Sequence, residues 1–166
     1  TTRLVTGHGV PQLSAIMNIK RSLTRMDMKN IGLIADGGIR NSGDMVKALA
    51  AGADAVMLGN LLAGCNESPG EIIHMHQQDY KLYRGQSSRH FLNDIGKVGV
   101  AAEGESIEIK VKGPVENIIQ EFVGGIRSGL TYSGASDIYS LQEKAIFMEI
   151  SDHSWTEGTP HAFIKS

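Results

Sequence analysis

Two glycine-containing turns offer the clearest chemistry in this sequence. They are Asp36-Gly37-Gly38 and Gly59-Asn60. Each follows a short apolar run, at 31–35 or 53–58, of the kind that forms a buried strand. Backbone N–H groups exposed at glycines, next to the amino terminus of a helix, bind a phosphate without a lysine. The Asp36 carboxylate would accept hydrogen bonds from ribose hydroxyls, whereas the alternative is a pair of ordinary strand-to-helix turns, in which glycine and aspartate are common.

The elements around these turns repeat the order strand, turn, helix. A helix is predicted at 12–25 behind Pro11, and a second helix is predicted from an N-cap at Ser42 to a stop at Gly52. The second turn runs into a short helical stretch at 61–63. This order predicts a parallel sheet with a right-handed crossover. In α/β barrels a phosphate site commonly forms in the loops after the last two strands, and both turns fit that placement.

The second half of the chain has a different pattern. Residues 80–104 lack a clear period and predict a long surface loop, whereas 107–111 alternate as a strand or hairpin arm does. An amphipathic helix is predicted behind Pro114, with glycines at 124, 125 and 129 that permit close packing near its end. The remaining predicted elements are a helix near 136–145, a strand at 146–150 and a polar tail.

Composition and charge narrow the class of protein. With 166 residues and 41% hydrophobic content, the chain can bury one core. A formal net charge of −2 indicates no basic surface for nucleic acid or an anionic membrane, and no apolar run reaches the roughly 20 residues of a spanning helix. We therefore expect a cytoplasmic protein without nucleic-acid or membrane partners. Cys65 is the single cysteine, which excludes an internal disulfide, and it is interpreted as a buried structural thiol.

Ordered motifs along nearly the whole chain resemble one enzyme family. The first motifs are IADGGIR at 34–40, SGD at 42–44, KALAAGA at 47–53 and VMLG at 56–59. The later motifs are LLAG at 61–64, ESPGE at 67–71, YRG at 83–85, KGP at 112–114 and GGIRSG at 124–129. Together they resemble the IMP dehydrogenase / GMP reductase family. The resemblance implies an α/β fold, a (β/α)8 TIM barrel of which residues 1–166 are the carboxy-terminal portion, with a flap at about 84–106.

The resemblance also implies which residues contact the substrate, a purine 5′-monophosphate. Asp36 would hold the ribose, and Tyr83 would help to close the nucleotide site. Gly38, Gly59 and Asn60 would take the 5′-phosphate. The full set of implied substrate-binding residues is Asp36, Gly37, Gly38, Gly59, Asn60, Tyr83, Gly85, Gln86, Ser87, Glu103 and Gly104.

Thr1-Thr2 marks the expected catalytic position. In this family the nucleophilic cysteine stands immediately before such a pair, so the upstream part of the same barrel is expected to supply it. That cysteine forms a thioimidate at purine C2 while hydride passes to or from a nicotinamide. Thr2 and Glu103 are predicted to share a proton, and Arg89 is the candidate for activating water. The alternative for Glu103 is a solvated loop charge.

The tail contains a candidate cation site. Glu157, Gly158 and Thr159 resemble the segment whose carbonyl oxygens bind a monovalent cation, potassium, near the catalytic loop of a neighbouring subunit, and the resemblance implies a homotetramer. A disordered tail is the alternative. The six histidines show no metal-ligand spacing, and His74 and His76 are interpreted as surface residues.

Two reaction directions are implied. An IMP dehydrogenase oxidises IMP with NAD and water to XMP in guanine nucleotide biosynthesis, whereas a GMP reductase converts GMP with NADPH to IMP and ammonia. The short flap and LTY at 130–132 favour the reductase, and the dehydrogenase's Arg-Tyr pair is matched only in part because His90 follows Arg89. The barrel motifs and TPH at 159–161 favour the dehydrogenase, which we predict. Two alternatives of other classes are a nucleotide-binding regulatory module that lacks the nucleophile and a flavin-binding barrel.

Overall fold

The structure is a computed structural model that describes residues 2–28, 30–75, 77–85, 88–97 and 106–158. The helices in these ranges are α1 (Thr2–Thr6), α2 (Gln12–Arg25), α3 (Ser42–Ala50), α4 (Asn60–Ala63), α5 (Arg89–Asp94), α6 (Val115–Tyr132), α7 (Ile138–Lys144) and α8 (Asp152–Glu157). The strands are β1 (Ile34–Asp36), β2 (Ala55–Met57), β3 (Ile72–Met75), β4 (Gln78–Arg84) and β5 (Ser106–Lys110).

The parallel unit lies in the first half of the chain. β1 and β2 pair in parallel with Ala35 opposite Val56, and α3 connects them. The buried cluster between these strands, α2 and α3 consists of Ile16, Ala35, Ala48, Ala51 and Ala53. Because alanine side chains are small, the helices can lie close to the strands, and the interior is densely packed. The predicted parallel unit and the predicted helix at 12–25 are both confirmed. The prediction that its strands are buried is wrong, because Ala35 is the one buried residue of β1 and β2 has none.

The ends of α3 explain its length. Asn41 is the N-cap, since its Oδ1 accepts a hydrogen bond from the Asp44 N–H at 2.9 Å, so the prediction of Ser42 as the cap is wrong by one residue. Gly52 follows the helix at φ +117°, a left-handed conformation that glycine adopts at little cost. The predicted stop at Gly52 is confirmed, and there the chain turns towards β2.

Two glycines of α6 bring this helix close to α3. A Cβ at Gly125 would lie 2.2 Å from Ser42 Oγ, and a Cβ at Gly129 would lie 2.7 Å from Val46 Cγ2. Within the described structure, no neighbouring atom lies within 4 Å of such a Cβ at Gly124. The predicted close packing is therefore confirmed at Gly125 and Gly129 and wrong at Gly124. A second buried cluster, Leu49, Ala50 and Leu141, joins α3 to α7.

The second sheet corrects the prediction of an irregular loop at 80–104. β4 pairs in antiparallel order with β3 on one side and β5 on the other, and α5 follows it along the chain. Lys81 on β4 is buried at 4% exposure, whereas its neighbour Leu82 is 40% exposed. A buried lysine beside an exposed leucine hides the period-two pattern that predicts a strand. The predicted strand at 107–111 is confirmed as β5.

The end of the chain corrects a second prediction. Residues 145–150 have no regular secondary structure, so the strand predicted at 146–150 is wrong, and Ile146 is 90% exposed. An apolar run forms a strand only where another strand pairs with its backbone, and none of the described strands does so here. The tail forms α8 behind an N-cap at Ser151. In the described part of the chain, no helix is long and apolar enough to cross a membrane.

Candidate functional site

The two glycine turns lie at the same edge of the parallel sheet. Asp36 pairs with Met57, so Gly38 and Gly59 each stand two residues beyond that pair. Gly37 and Gly38 have φ values of +97° and +77°, a conformation that other residues rarely adopt. Both turns are exposed to solvent, so a ligand can reach their backbone N–H groups.

Gln12 anchors the first turn, although sequence reasoning did not single it out. Its Nε2 donates to the Asp36 carbonyl oxygen at 2.9 Å, which ties the end of β1 to the start of α2. A cavity of about 120 Å³ lies between α2, the turn and α3, with Gly37 and Gly38 in its lining. The Asp36 residue itself is exposed, so its carboxylate is available to a ligand.

Tyr83 from β4 lies over the second turn. A Cβ at Gly59 would stand 3.1 Å from Tyr83 Oη, which is tighter than ordinary contact, so glycine leaves room for the hydroxyl. Asn60 follows Gly59 as the first residue of α4. Lys112 Nζ donates to the Asn60 and Leu61 carbonyl oxygens at 3.3 and 2.9 Å and ties α4 to the segment after β5. The structure thus brings together two predicted site residues that are distant in sequence.

A larger cavity of about 430 Å³ opens beside this turn. Its walls come from α4, the loop after α4, β4 and α5, and most of them are apolar. The lining residues are Gly59, Leu62, Ala63, Ser68, Pro69, Gly70, Leu82, Tyr83, Arg84 and Phe91. Mostly apolar walls with a few polar groups are the usual form of a small-molecule site.

Lys81 is the buried charge of this region, and sequence reasoning missed it. Its side-chain ammonium donates to the carbonyl oxygens of Cys65, Asn66 and Ser68 at 2.9, 3.0 and 2.7 Å. An ammonium group has three donors, and all three are used here. No sequence signal identified this lysine, because its acceptors are backbone atoms at least 13 residues away.

The segment after β4 begins with ordered contacts. Arg84 forms an ion pair with Asp94, and its guanidinium carbon lies 6.0 Å from the centroid of the Phe91 ring. Ser88 is fully buried and caps α5, because its Oγ accepts a hydrogen bond from the Phe91 N–H at 3.3 Å. Its own N–H donates to the Gly85 carbonyl oxygen at 2.9 Å. These contacts fix the direction in which the chain leaves β4.

The other predicted site residues are placed only in part. Thr2 begins α1 and Arg89 begins α5. Glu157 ends α8, and Gly158 is its C-cap. Gln86, Ser87, Glu103, Gly104 and Thr159 lie outside the described residues. The pairing of Thr2 with Glu103 therefore stays a prediction, as do the roles of Arg89 and of the tail.

Trp155 holds α8 beside the first turn, a contact that the sequence did not indicate. Its ring centroid lies 5.6 Å from Arg40 Cζ and 5.4 Å from Lys47 Nζ, so two cations face one aromatic ring. Arg40 Nε also donates to Asp44 Oδ2 at 2.9 Å. Burial tends to raise the pKa of Asp44, but the hydrogen bonds from Arg40 outweigh it and lower that pKa below its ordinary 3.8.

Two other expectations are met. Cys65 is 1% exposed, so the prediction of a buried thiol is confirmed. His74 is an exposed residue whose Nδ1 lies 2.6 Å from Asp79 Oδ1, as expected for the surface, whereas His76 lies outside the described residues. Among the residues that the structure describes, no group of three or more His, Cys, Asp or Glu side chains could hold a metal ion.

Comparison with known proteins places this chain in a family. Residues 1–161 match the family model described as the IMP dehydrogenase / GMP reductase domain. The chain belongs to this family. It is 47% identical to the inosine-5′-monophosphate dehydrogenase of Aquifex aeolicus, over 97% of this chain and 34% of that relative. It is 40% identical to that of Methanocaldococcus jannaschii, over 99% of this chain and 36% of the relative. The chain spans about a third of the length of both relatives.

A solved structure extends the comparison to the fold. A cysteine-to-alanine variant of the GMP reductase from Trypanosoma brucei, in complex with guanosine 5′-monophosphate, is 40% identical and has a TM-score of 0.90. The likeness covers 98% of this chain and 34% of that one. The predicted α/β fold, as a portion of a TIM barrel, is thereby confirmed.

Proposed function

We propose that this chain contributes the nucleotide site of an IMP dehydrogenase, an enzyme that oxidises IMP with NAD and water to XMP and NADH. The observation that carries the proposal is the pair of exposed glycine turns at one sheet edge, with Tyr83 Oη over Gly59. The relatives named inosine-5′-monophosphate dehydrogenase, at 47% and 40% identity, support the oxidative direction.

The two turns would bind the phosphate and the ribose. Backbone N–H groups of Gly37, Gly38, Gly59 and Asn60 would donate to the 5′-phosphate, and the Asp36 carboxylate would accept from the ribose hydroxyls. Hydrogen bonds to a charged group contribute roughly 1.5–3 kcal/mol each, so a few amides can hold a dianion without a lysine. Tyr83 Oη, which stands against Gly59, would donate to the same phosphate. Gly85, Gln86, Ser87, Glu103 and Gly104 complete the proposed substrate contacts.

The chemical step would join this chain to a cysteine from the upstream part of the same barrel. Thr2 and Glu103 would pass a proton between them, and Arg89 would activate water. NAD, when bound, would supply the hydride acceptor. The cofactor is proposed from family membership, and no described residue is assigned to it.

The proposed setting is one catalytic barrel in which residues 1–166 form the carboxy-terminal part and about 84–106 form a flap. Potassium would bind to carbonyl oxygens of Glu157, Gly158 and Thr159. This cation would lie near the catalytic loop of a neighbouring subunit, as the family resemblance implies. We propose a cytoplasmic homotetramer as the working form.

A GMP reductase is the second candidate. The solved structure from Trypanosoma brucei, which contains guanosine 5′-monophosphate, favours it, as does the short segment between Gly85 and Glu103. The cofactor would then be NADPH, and the products would be IMP and ammonia. The same two turns would hold the nucleotide in either direction.

The test is the absorbance of the reduced nicotinamide, measured with the complete gene product. A rise with IMP and NAD is expected. A fall with GMP and NADPH, without that rise, would replace the dehydrogenase by the reductase. IMP binding without either reaction would indicate a regulatory module, and FMN binding without IMP binding would refute a purine-nucleotide site.

Asp36→Ala tests the ribose contact in the same protein. Loss of two hydrogen bonds to a charged carboxylate is expected to weaken IMP binding by about 3 kcal/mol or more, which is over roughly a hundredfold, as measured by calorimetry. Asp79→Ala removes one negative charge from β4, opposite His74 of β3, and is the matched control, with affinity expected within about twofold of the wild type. Equal affinity for Asp36→Ala and the wild type would refute the assignment.

A further inference from the structure

The surroundings of Lys81 form a cradle for a small cation. Its ammonium is buried, and its three acceptors, the carbonyl oxygens of Cys65, Asn66 and Ser68, belong to one loop. Their distances from Nζ are 2.9, 3.0 and 2.7 Å. A buried charge is costly unless polar groups surround it, so this loop must stay in place to receive the ammonium. The loop and β4 are thereby held to one relative position.

The relative position of this loop and β4 affects the nucleotide site. Side chains two residues apart lie on the same face of a strand, so Lys81 and Tyr83 leave β4 on one side. Tyr83 stands against Gly59, and the cradle loop begins only two residues after α4 ends. The ammonium therefore joins the strand that carries the hydroxyl to the segment that carries the glycine turn.

A second set of contacts shows how little freedom this segment has. A Cβ at Gly64 would lie 2.3 Å from the Lys110 carbonyl oxygen, so the chain leaving α4 touches the backbone of β5. The Lys112 N–H donates to the Gly64 carbonyl oxygen at 2.8 Å, and the Asn66 N–H donates to the Gly113 carbonyl oxygen at 2.9 Å. These contacts hold one side of the loop to the end of β5, and Lys81 holds the other side to β4.

We propose that Lys81 is a positioning residue for the nucleotide site, in which its ammonium acts as a tethered monovalent cation. It fixes the loop at 65–68 against β4 and so sets Tyr83 Oη over Gly59. The inference rests on the proposed binding of a purine 5′-monophosphate. The proposal has a second consequence. A variant without the Lys81 side chain keeps the three carbonyl oxygens, and these bind a small alkylammonium ion.

The first test compares two lysine variants of the complete gene product. Lys81→Met keeps an unbranched apolar stem and leaves the three carbonyl oxygens without the ammonium. We expect IMP affinity to fall roughly tenfold or more by calorimetry. Lys110→Met removes an exposed lysine from the neighbouring strand and is the matched control, with affinity expected within about twofold of the wild type. Wild-type affinity in Lys81→Met would overturn the positioning role.

A double-mutant cycle with Tyr83→Phe separates positioning from general loss of structure. If Lys81 acts through the tyrosine hydroxyl, the double variant should bind IMP about as weakly as Lys81→Met alone. Fully additive losses would mean that the two side chains act independently, and the proposal would be wrong.

The third test is chemical rescue of Lys81→Ala with propylammonium, which replaces the atoms that the substitution removes. The thermal unfolding midpoint of the variant should rise with propylammonium and not with tetramethylammonium, which is too large and has no N–H donor. The wild type should respond equally to both salts. No selective rise would overturn the cradle, and this outcome decides the matter even if Lys81→Met fails to fold.

The rescue test and the binding tests together also separate this inference from the proposed function. Thermal rescue needs no nucleotide, so it reports on the cradle alone. If the wild type binds no purine nucleotide, the proposed function fails, and with it the positioning role, whereas selective rescue still establishes the cation cradle. If the wild type binds IMP and rescue is absent, the cradle fails and the nucleotide site stands.

Discussion

The close contact between α3 and α6 predicts that a glycine-to-alanine change in α6 lowers the stability of the protein, whereas such a change in a helix usually raises it. Alanine in a helix interior is normally favoured over glycine by about 1 kcal/mol, because glycine loses more backbone freedom on folding. At Gly129 the new Cβ would lie 2.7 and 2.8 Å from the two γ-carbons of Val46, where ordinary contact begins at 3.4 Å. The helices must separate by several tenths of an ångström, so we expect Gly129→Ala to destabilise the protein.

The magnitude follows from two opposing effects. Overpacking of this kind lowers the free energy of unfolding by about 1–3 kcal/mol, and the helix preference of alanine raises it by about 1 kcal/mol. The net loss of stability is therefore about 0–2 kcal/mol. Val46→Ala removes both γ-carbons and leaves Val46 Cβ at 3.3 Å from the new methyl. In that background Gly129→Ala should stabilise by about 1 kcal/mol, which gives a coupling of about 1–3 kcal/mol between the two sites.

The assay is urea unfolding of the complete gene product, followed by far-ultraviolet circular dichroism at one fixed protein concentration, since association would shift the midpoint. Gly124→Ala is the matched control on the same helix. No neighbouring atom of the described structure lies within 4 Å of its Cβ, so it should stabilise by about 1 kcal/mol in either background. If Gly129→Ala stabilises as much as Gly124→Ala while Val46 is present, the close packing of α3 on α6 is refuted.

Two further predictions concern the first turn and its contact with α8. Because hydrogen bonds from Arg40 lower the folded-state pKa of Asp44 below 3.8, the stability that this carboxylate contributes is present above that pH and is lost as the pH falls through the lowered pKa. Asp44→Asn should therefore lower the free energy of unfolding in urea at neutral pH but not in strong acid. Glu121→Gln, at an exposed position, is the control for the loss of one charge. A loss of stability that does not depend on pH would contradict this prediction. Trp155 faces Arg40 and Lys47, so IMP binding at the turn should change its fluorescence. If Trp155→Phe shows the same fluorescence change on IMP binding, the signal does not come from Trp155, and α8 does not respond to the nucleotide.

Local pattern was sufficient for the elements that build the parallel unit. The helix at 12–25, the two apolar strands and the stop at Gly52 follow from side-chain spacing and from glycine's tolerance of positive φ. The motifs at 34–40 and 124–129 indicated the family, which the match over 1–161 confirms. Each of these signals lies within a short stretch of chain, because helices, buried strands and turns are decided largely by neighbouring residues.

The strand β4 shows where local pattern fails. Its buried side chain is Lys81 and its exposed neighbour is Leu82, the reverse of the order by which a strand is predicted. Burial of the lysine is favourable only because three carbonyl oxygens from 13 to 16 residues away receive its ammonium. Those acceptors are backbone atoms, and backbone atoms are the same in every sequence.

The candidate site also has residues that the sequence predicts and contacts that only the structure shows. Asp36, Gly38 and Gly59 could be named from the chain, because a glycine turn after a short apolar run has a local signature. The placement of Tyr83 against Gly59 depends on how β4 and α4 pack, and the placement of Trp155 against Arg40 depends on where α8 returns. Such contacts join distant segments whose approach is decided by the burial of the whole core, so only the tertiary structure could reveal them.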